Sequence, residues 1–453
     1  MITRSVDTIL EGLGGEGRMD FTLERLKAAL VAVGNPEKGV PSLIIGGTNG
    51  KGSTALFISS ALAEAGVRVG TYLSPHLQSP VERFLLNLSP IGLETLTLLA
   101  REHETLALAH RLTYFEYLTL LYFVWAKEQK TEVSVLEVGL GGRLDSTNVT
   151  RPLASIVTNI ALDHQAYLGD THEKILAEKL GILPAEGLLF TGVSQPDLLN
   201  LVEQRCAELD AIYYYSKELN VVPKTRYWDG QTFSINGYEF SASNPTAGMR
   251  ENAALAFLTL RIVFPRLSLL QIQNAFAHVS TPGRFETVSL NPRVVLSGDH
   301  NPHGLATLVE TISHLAPTRT KILCGFSPDK PYHEMYAALQ RVSPDLLLTS
   351  VENRMKKTVS EDYSRLGLYE PDPRRAVEKI LQEAQAEDTI LVTGSLYLVG
   401  AVRGMWHSKV AFSKGRTTFL STTNEAADGA TRATLRPGGR AQTPVHASEG
   451  AVP

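Results

Sequence analysis

The sequence predicts an α/β protein, in which a mostly parallel sheet domain holding a phosphate loop precedes a smaller α/β domain and a tail. Three observations carry this. Short apolar runs alternate with helical stretches from Ser42 onward, the pattern of a parallel sheet covered on both faces. A glycine-rich loop stands between the first apolar run and the first helical stretch. The alternation pauses at Thr281-Pro282-Gly283 and then starts again.

Taken in order, Ser42–Ile45 reads as the first strand, Ser53–Ala65 as a helix stopped by Gly66, and Arg68–Tyr72 as the second strand. Further strands are expected at Val133–Val138, Ala154–Ile160 and Leu188–Gly192. From Tyr213 to Phe240 aromatic and polar residues alternate, and Asp229-Gly230 and Asn236-Gly237 are hairpin dipeptides, so a small antiparallel flap is expected there. After the pause, strands are expected at Arg293–Ser297, Lys321–Gly325, Asp345–Thr349 and Thr389–Thr393. The domain boundary then falls near Ser280, giving domains over 1–280 and 281–406. Beyond His407 the residues are mostly Ala, Thr, Gly, Arg, Pro and Ser without apolar periodicity, which predicts a disordered tail over 407–453.

A chain of 453 residues, 43% hydrophobic and 20% charged, is long enough to bury more than one core. A formal net charge of −4 with no local basic patch argues against nucleic acid or an anionic membrane as partner. Cys206 and Cys324 are far apart, which argues against a disulfide framework or thiolate zinc site and for a reducing, cytoplasmic setting. Met1 to Arg18 contains Asp7, Glu11, Glu16 and several glycines, and lacks the basic start and apolar run of a signal peptide. The apolar stretch Leu118 to Val124 is too short to span a bilayer.

The loop Gly46-Gly47-Thr48-Asn49-Gly50-Lys51-Gly52-Ser53-Thr54 lies between predicted strand and helix, where backbone amides face an anion. Thr48, Asn49, Gly50, Lys51, Gly52 and Ser53 are the expected ATP contacts, with Lys51 neutralising the outer phosphates. The loop departs from the strict Walker pattern: Ile45 holds the first-glycine position and Gly52 separates Lys51 from the hydroxyl residue. An ordinary glycine turn is the plainer alternative. Glu137 ends an apolar run and is followed by Gly139-Leu140-Gly141-Gly142. At the carboxyl edge of a parallel sheet, where ligands bind, a carboxylate can hold Mg²⁺, which prefers oxygen. A surface acid that happens to end a strand is the other reading. His164, in Leu162-Asp163-His164, comes to the same edge, although a lone histidine is more often structural.

Gly-Thr-Asn-Gly-Lys-Gly-Ser at 47–53 resembles the loop of Mur-type ligases, and of folylpolyglutamate synthases in particular. Glu-Val-Gly-Leu-Gly-Gly-Arg-Leu-Asp-Ser-Thr-Asn at 137–148 and the block Leu162 to Thr171 are similar to the same family. The resemblance is to the folylpolyglutamate synthase/dihydrofolate synthase family of the Mur ligase superfamily and runs from about residue 20 to 404. It implies a P-loop domain followed by a Rossmann-like domain. It also implies Mg²⁺ on Ser74, Glu137 and His164, a carbamylated lysine at Lys179, and catalytic roles for Lys51, Glu137, His164, Lys179 and His300. ATP contacts are implied for Asn252 and Arg284, and substrate contacts for Thr113, Tyr114, Phe115 and Glu116 and for Leu144, Asp145 and Ser146. Read without the resemblance, these residues are a capping serine, a solvent-facing lysine, an aromatic core stripe, a helix-capping amide and a surface ion pair.

One position departs from the family. Where the family writes Asp-Gly-Ala-His-Asn-Pro, this chain has Ser297-Gly298-Asp299-His300-Asn301-Pro302, so Ser297 stands where a nucleotide-contacting aspartate is implied. Residues two apart on a strand share a face, so Asp299 reaches the same ligand if the strand continues. The implied activity is ATP-dependent ligation of L-glutamate to dihydropteroate, to the glutamate of tetrahydrofolate, or to both, through an acyl phosphate. The expected partners are small molecules, and the expected state is a monomer. A catalytically weak folate-binding homologue is the alternative that Ser297 suggests. A Mur-type ligase with another acceptor is a further alternative; a cell-wall Mur ligase, whose family carries a UDP-sugar domain before the loop, is opposed by the fewer than fifty residues that precede it here, and a P-loop kinase or NTPase leaves Asp329-Lys330 and Thr393 to Tyr397 unaccounted for.

Overall fold

The computed structural model describes residues 5–13, 20–351 and 360–406; the expected tail over 407–453 lies outside the described residues. The first sheet has eight strands: β1 (Ser42–Gly46), β2 (Val69–Tyr72), β3 (Phe84–Leu86), β4 (Ser89–Pro90), β5 (Val133–Glu137), β6 (Ala154–Val157), β7 (Leu188–Thr191) and β8 (Ile212–Tyr215). Their order is β4-β3-β2-β5-β1-β6-β7-β8. β1 lies at the centre, parallel to β5 and β6, with Ile45 opposite Glu137 and Gly46 opposite Val157. Alternate strand residues enter separate apolar clusters: Ile44, Leu136 and Val157 pack on one face, and Ile45, Val135 and Ile156 on the other. Burial on both faces is why these strands read as unbroken apolar runs.

Three strands, β9 (Val221–Tyr227), β10 (Gly230–Ile235) and β11 (Tyr238–Ala242), form the antiparallel flap. The second sheet holds β12 (Glu286–Leu290), β13 (Arg293–Ser297), β14 (Thr320–Cys324), β15 (Leu346–Thr349), β16 (Leu368–Glu370) and β17 (Thr389–Thr393), in the order β12-β13-β17-β14-β15-β16. All its neighbours are parallel except β12, which is antiparallel to β13. It too has a cluster on each face, with Val295 and Leu391 on one and Leu296 and Val392 on the other. No helix among the described residues is long and apolar enough to cross a membrane.

Several expectations need correction. Tyr213 to Tyr215 belong to β8, the parallel edge of the first sheet, where Tyr214 pairs with Phe190, so the flap starts at Val221. β8 is the partly exposed edge of the sheet, so it is not written as a buried apolar run. The antiparallel strands β3 and β4 and the three-residue β16 were not expected; segments so short carry no period. The strand expected over Ala154–Ile160 stops at Val157, because Thr158 and Asn159 turn to bond the phosphate loop. The helix expected over Ser53–Ala65 runs Lys51–Glu64, starting two residues earlier, and the helices Val6–Gly12 and Glu24–Ala32 that precede it were not expected. Gly50, at φ +83°, makes the left-handed turn that lets Lys51 begin the helix.

Candidate active site

The carboxyl ends of the two sheets face each other across one cleft of about 1180 Å³, and every site residue named above lies on its wall. The phosphate loop is pinned to the chain after β6. Thr48 N–H donates to the Asn159 carbonyl at 2.8 Å, Asn49 N–H to Asn159 Oδ1 at 3.0 Å, and Thr158 Oγ1 to the Asn49 carbonyl at 2.6 Å. Gly47 has φ +129°, and a Cβ there would lie 2.9 Å from Thr158 N, so no side chain fits. Lys51 Nζ donates to the carbonyls of Gly47 and Thr48 at 3.2 and 3.1 Å.

Glu137, at the end of β5, is buried and accepts from Ser74 N–H at 2.8 Å. It rests against Gly52 at the start of helix Lys51–Glu64. Burial raises the pKa of Glu137 and lowers that of Lys51, and each is the largest charge opposing the other's shift. His164 has φ +50° at the head of helix Gln165–Leu168, and 38% of its side chain is open to the cleft. Desolvation, with Lys330, His300 and Lys51 adding to it, brings its pKa to about 4 against the pull of Asp163, so the ring is a neutral nitrogen donor near pH 7. Lys179 is buried on helix His172–Leu180 and donates from Nζ to the Gly47 carbonyl at 2.8 Å. Burial first, then Lys51, lowers its pKa to about 7.

These groups suit Mg²⁺. Among the described residues there is no cluster of three His, Cys, Asp or Glu that would cage a metal. A magnesium ion bound with nucleotide needs only one or two carboxylates, the rest of its octahedron being phosphate oxygen and water. Glu137 is a buried carboxylate with one N–H partner, and the Ser74 and His164 side chains stand on the same cleft wall.

The substrate-side residues are more occupied than the resemblance implies. Thr113 and Glu116 form a capping box on helix Tyr114–Glu128: Thr113 N–H donates to Glu116 Oε2 at 2.7 Å, and Arg25 lies 3.2 Å from the same carboxylate. Asp145 accepts from the amides of Gly139, Leu140 and Thr147 at 2.9–3.0 Å, which shapes the glycine turn. Leu144 and Ser146 flank it on the cleft wall, Tyr114 lies under the Arg83 guanidinium at 5.6 Å, and Phe115 lies over Gly139, where a Cβ would sit 2.6 Å from its Cζ.

The second half closes the other wall. β13 stops at Ser297, so the two-residue strand argument for Asp299 does not hold; a turn brings it back instead, and Ser297 Oγ donates to Asp299 Oδ2 at 2.6 Å. Burial raises the Asp299 pKa, with Ser297 and Arg284 opposing. Arg284 Nη1 donates to the Gly298 carbonyl at 3.1 Å, and His300 Nδ1 is 3.0 Å from that same oxygen. Asn252 packs its carboxamide on Gly50. The sequence patterns did not anticipate how the halves meet. Asn301 Nδ2 donates to Asn49 Oδ1 and to Asp163 Oδ2, both at 3.0 Å, and Lys330 Nζ pairs with Asp163. His300 Nε2 is 3.6 Å from Asp163 Oδ2. Burial would raise Asp163, but His300, His164 and Lys330 hold it far below the carboxylate range.

The sequence and the fold are shared with known proteins. Residues 45–254 match the Mur ligase middle domain and residues 283–396 the Mur ligase glutamate ligase domain. The chain is 30% identical over 415 residues to the dihydrofolate synthase/folylpolyglutamate synthase of Bacillus subtilis, covering 85% of this chain and 96% of that one. It is 31% identical over 397 residues to the Escherichia coli protein of that name, covering 85% and 91%. A structure of Mycobacterium tuberculosis folylpolyglutamate synthase complexed with ADP superposes with TM-score 0.82 at 27% identity, covering 89% of this chain and 99% of that one. E. coli FolC in complex with DHPP and ADP gives 0.77 at 30% identity, covering 89% and 97%. The chain is an acid–amino-acid ligase of the Mur ligase superfamily and belongs to its folylpolyglutamate synthase/dihydrofolate synthase family.

Proposed function

We propose that the chain joins L-glutamate to dihydropteroate, to the terminal glutamate of tetrahydrofolate, or to both, with ATP cleaved to ADP and phosphate. The observation that carries this is the convergence on one cleft of the phosphate loop, the buried Glu137 and Lys179, and Arg284 and His300 from the second sheet. A carboxylate oxygen leaves poorly at neutral pH. Attack of the acceptor carboxylate on the γ-phosphorus breaks the bond to ADP and gives an acyl phosphate; the amine of glutamate then attacks the acyl carbon, and collapse of the adduct releases phosphate.

Lys51 and the amides at the start of helix Lys51–Glu64 hold the ATP phosphates, with Thr48, Asn49, Gly50, Gly52 and Ser53 shaping the loop. Asn252 fixes that loop from the side, and Arg284 faces the transferring phosphoryl group. Mg²⁺ held by Ser74, Glu137 and His164 would neutralise phosphate oxygens as a Lewis acid. An amine with pKa about 7 is largely deprotonated in mild alkali and can take up CO₂, which supports a carbamate on Lys179. His300, oriented through Gly298 and Asp163, positions the incoming amine. Phe115, Leu144 and Ser146 line the acceptor side, while Thr113, Glu116 and Asp145 keep its walls rigid. Ser297 serves the ATP side through Asp299.

On this reading residues 1–280 form an ATP-binding domain and 281–406 a glutamate-ligase domain. The protein acts in the cytoplasm as a monomer on small molecules, without nucleic acid or membrane partners. The test is glutamate-dependent phosphate release from MgATP with dihydropteroate or tetrahydrofolate, with the added glutamate verified by mass. Turnover with one acceptor assigns the activity, turnover with both makes the enzyme bifunctional, and silence with both in folded protein refutes the reading in favour of a non-catalytic folate binder.

A further inference from the structure

The antiparallel flap has no part in the roles assigned above, yet its tip reaches the second half of the molecule. Between β9 and β10 the turn presents Trp228, whose indole packs against the apolar cluster on one face of the second sheet. That ring stands 6.2 Å from the ring of Phe285 at an interplanar angle of 29°, and the Arg293 guanidinium lies 4.7 Å from the indole centroid. Arg226, on the same hairpin, pairs with Glu310 of helix Pro302–Leu315 at 2.8 Å. Phe285 has φ +51° and is 4% exposed. A bulky residue in the left-handed region is strained, and it keeps that backbone only where its surroundings hold it. Here its N–H donates to Ser297 Oγ at 3.2 Å and its ring lies along Trp228. The preceding residue, Arg284, is also held from the flap. Gln231 of β10 donates from Nε2 to the Asn244 carbonyl at 2.7 Å, and Asn244 Nδ2 donates to the Arg284 carbonyl at 2.7 Å. Gln231 and Asn244 are both buried, so water does not compete for these bonds.

We infer that the flap braces Arg284 and that Trp228 is a positioning residue for phosphoryl transfer. This rests on the proposed ligase reading, in which the Arg284 side chain meets the transferring phosphoryl group. An arginine stabilises charge that develops in a transition state only if its donors are already in place when the charge appears. Arg284 is tied to its own surroundings by Nη1 to the Gly298 carbonyl and by its N–H to the Thr281 carbonyl. Neither bond relates it to the phosphate loop of the first half. The flap does. Phe233, Ile235 and Phe240 of the flap pack in the same apolar cluster as Ile45 of β1 and Ala55 and Phe57 of helix Lys51–Glu64. The strand before the phosphate loop, the helix after it and the flap therefore form one packed body, and the flap carries the position of that loop across to residues 284 and 285. Without the indole, the left-handed turn at Phe285 loses the ring that holds it. The guanidinium then shifts relative to the phosphoryl group while the other contacts to the nucleotide remain.

The experiment compares W228A, W228F, R293A, R284A and the double variant W228A/R284A with the wild-type protein. The kcat is measured with glutamate and each acceptor, and equilibrium binding is measured for ADP and for a nonhydrolysable ATP analogue. W228A should lower kcat about tenfold and weaken the analogue about fivefold, the scale of a misplaced catalytic group. The Kd for ADP, which lacks the transferred group, should stay within about twofold, a selectivity that general loosening of the fold would not give. W228F keeps a stacking ring and should stay within about threefold of the wild-type kcat. R293A uncovers the indole without removing it; a milder loss of about threefold is expected, and this variant carries the test if W228A does not fold. In the R284A background, loss of the indole should change kcat by less than about twofold, because it acts through the arginine. Wild-type kcat and analogue Kd in W228A, equal weakening of ADP and analogue, or the same fold loss of kcat with and without Arg284 overturn the brace and leave the ligase reading intact. An R284A protein that binds ADP and analogue as the wild type does also overturns it. Wild-type protein that turns over neither acceptor overturns the ligase reading, and the brace is then judged on the difference between the analogue and ADP affinities.

Discussion

Substituting Gly50 by alanine separates two effects that act at one atom. Gly50 has φ +83°, and holding an L-residue in the left-handed region costs about 1–2 kcal/mol. The new Cβ would also overlap the Asn252 carboxamide, lying 2.6 Å from Nδ2 and 2.7 Å from Cγ, so Asn252 must swing away. Asn252 is 9% exposed, and displacing a packed polar side chain adds about 1–3 kcal/mol. G50A should therefore lose about 2–5 kcal/mol, whereas G50A made in an N252A background should lose only the backbone part, about 1–2 kcal/mol. The assay is urea unfolding of wild type, both single variants and the double variant, with KM for ATP measured alongside. G50A and N252A should each raise the ATP KM by about tenfold or more, and the double variant should be little worse than G50A. Equal destabilisation by G50A in both backgrounds would refute the close packing of Asn252 on the phosphate loop.

Three other outcomes follow from the same site. E137Q keeps the shape that accepts the Ser74 N–H but removes the charge, so kcat should fall about a hundredfold and the Mg²⁺ requirement rise, while Tm does not fall, because burial already opposes the ionised carboxylate; a variant with normal magnesium dependence would exclude Glu137 as a ligand. Burial lowers the Lys179 pKa to about 7, so its neutral amine prevails above that pH and its carbamate should form from labelled bicarbonate as pH rises through 7. The carbamate carbon signal should be absent in K179R. Linkage gives the same direction for stability: the unfolded chain binds the extra proton between pH 7 and its ordinary value of about 10.4, so this residue's contribution rises with pH in that window. S297A removes the donor to the buried Asp299 carboxylate and should cost about 1.5–3 kcal/mol with a several-fold rise in ATP KM. D299A should raise ATP KM at least as much, and a D299A enzyme with unaltered ATP KM would show that the Ser297–Asp299 pair does not serve the nucleotide.

The parallel strands and the phosphate loop were legible because their determinants are local. β1, β5 and β17 are buried on both faces and so are written as apolar runs, and Gly47 and Gly50 mark backbone that no other residue adopts without strain. The sequence by itself determined these elements, their alternation and the residues that belong at the sheet edge. Tertiary structure alone decided which of those residues still have free valence. Glu116 and Asp145 read as substrate contacts, yet their oxygens are engaged by a capping box, an arginine and three amides. Asp299 stands beyond the end of its strand, and only the turn after Ser297 shows that its carboxylate returns to that hydroxyl. Trp228 and Phe285, and likewise Asn49, Asp163, Asn301 and Lys330, meet only after the chain has packed. Periodicity and turn chemistry act over a few residues, whereas hydrogen-bond satisfaction and ring contacts depend on groups brought together from distant parts of the chain.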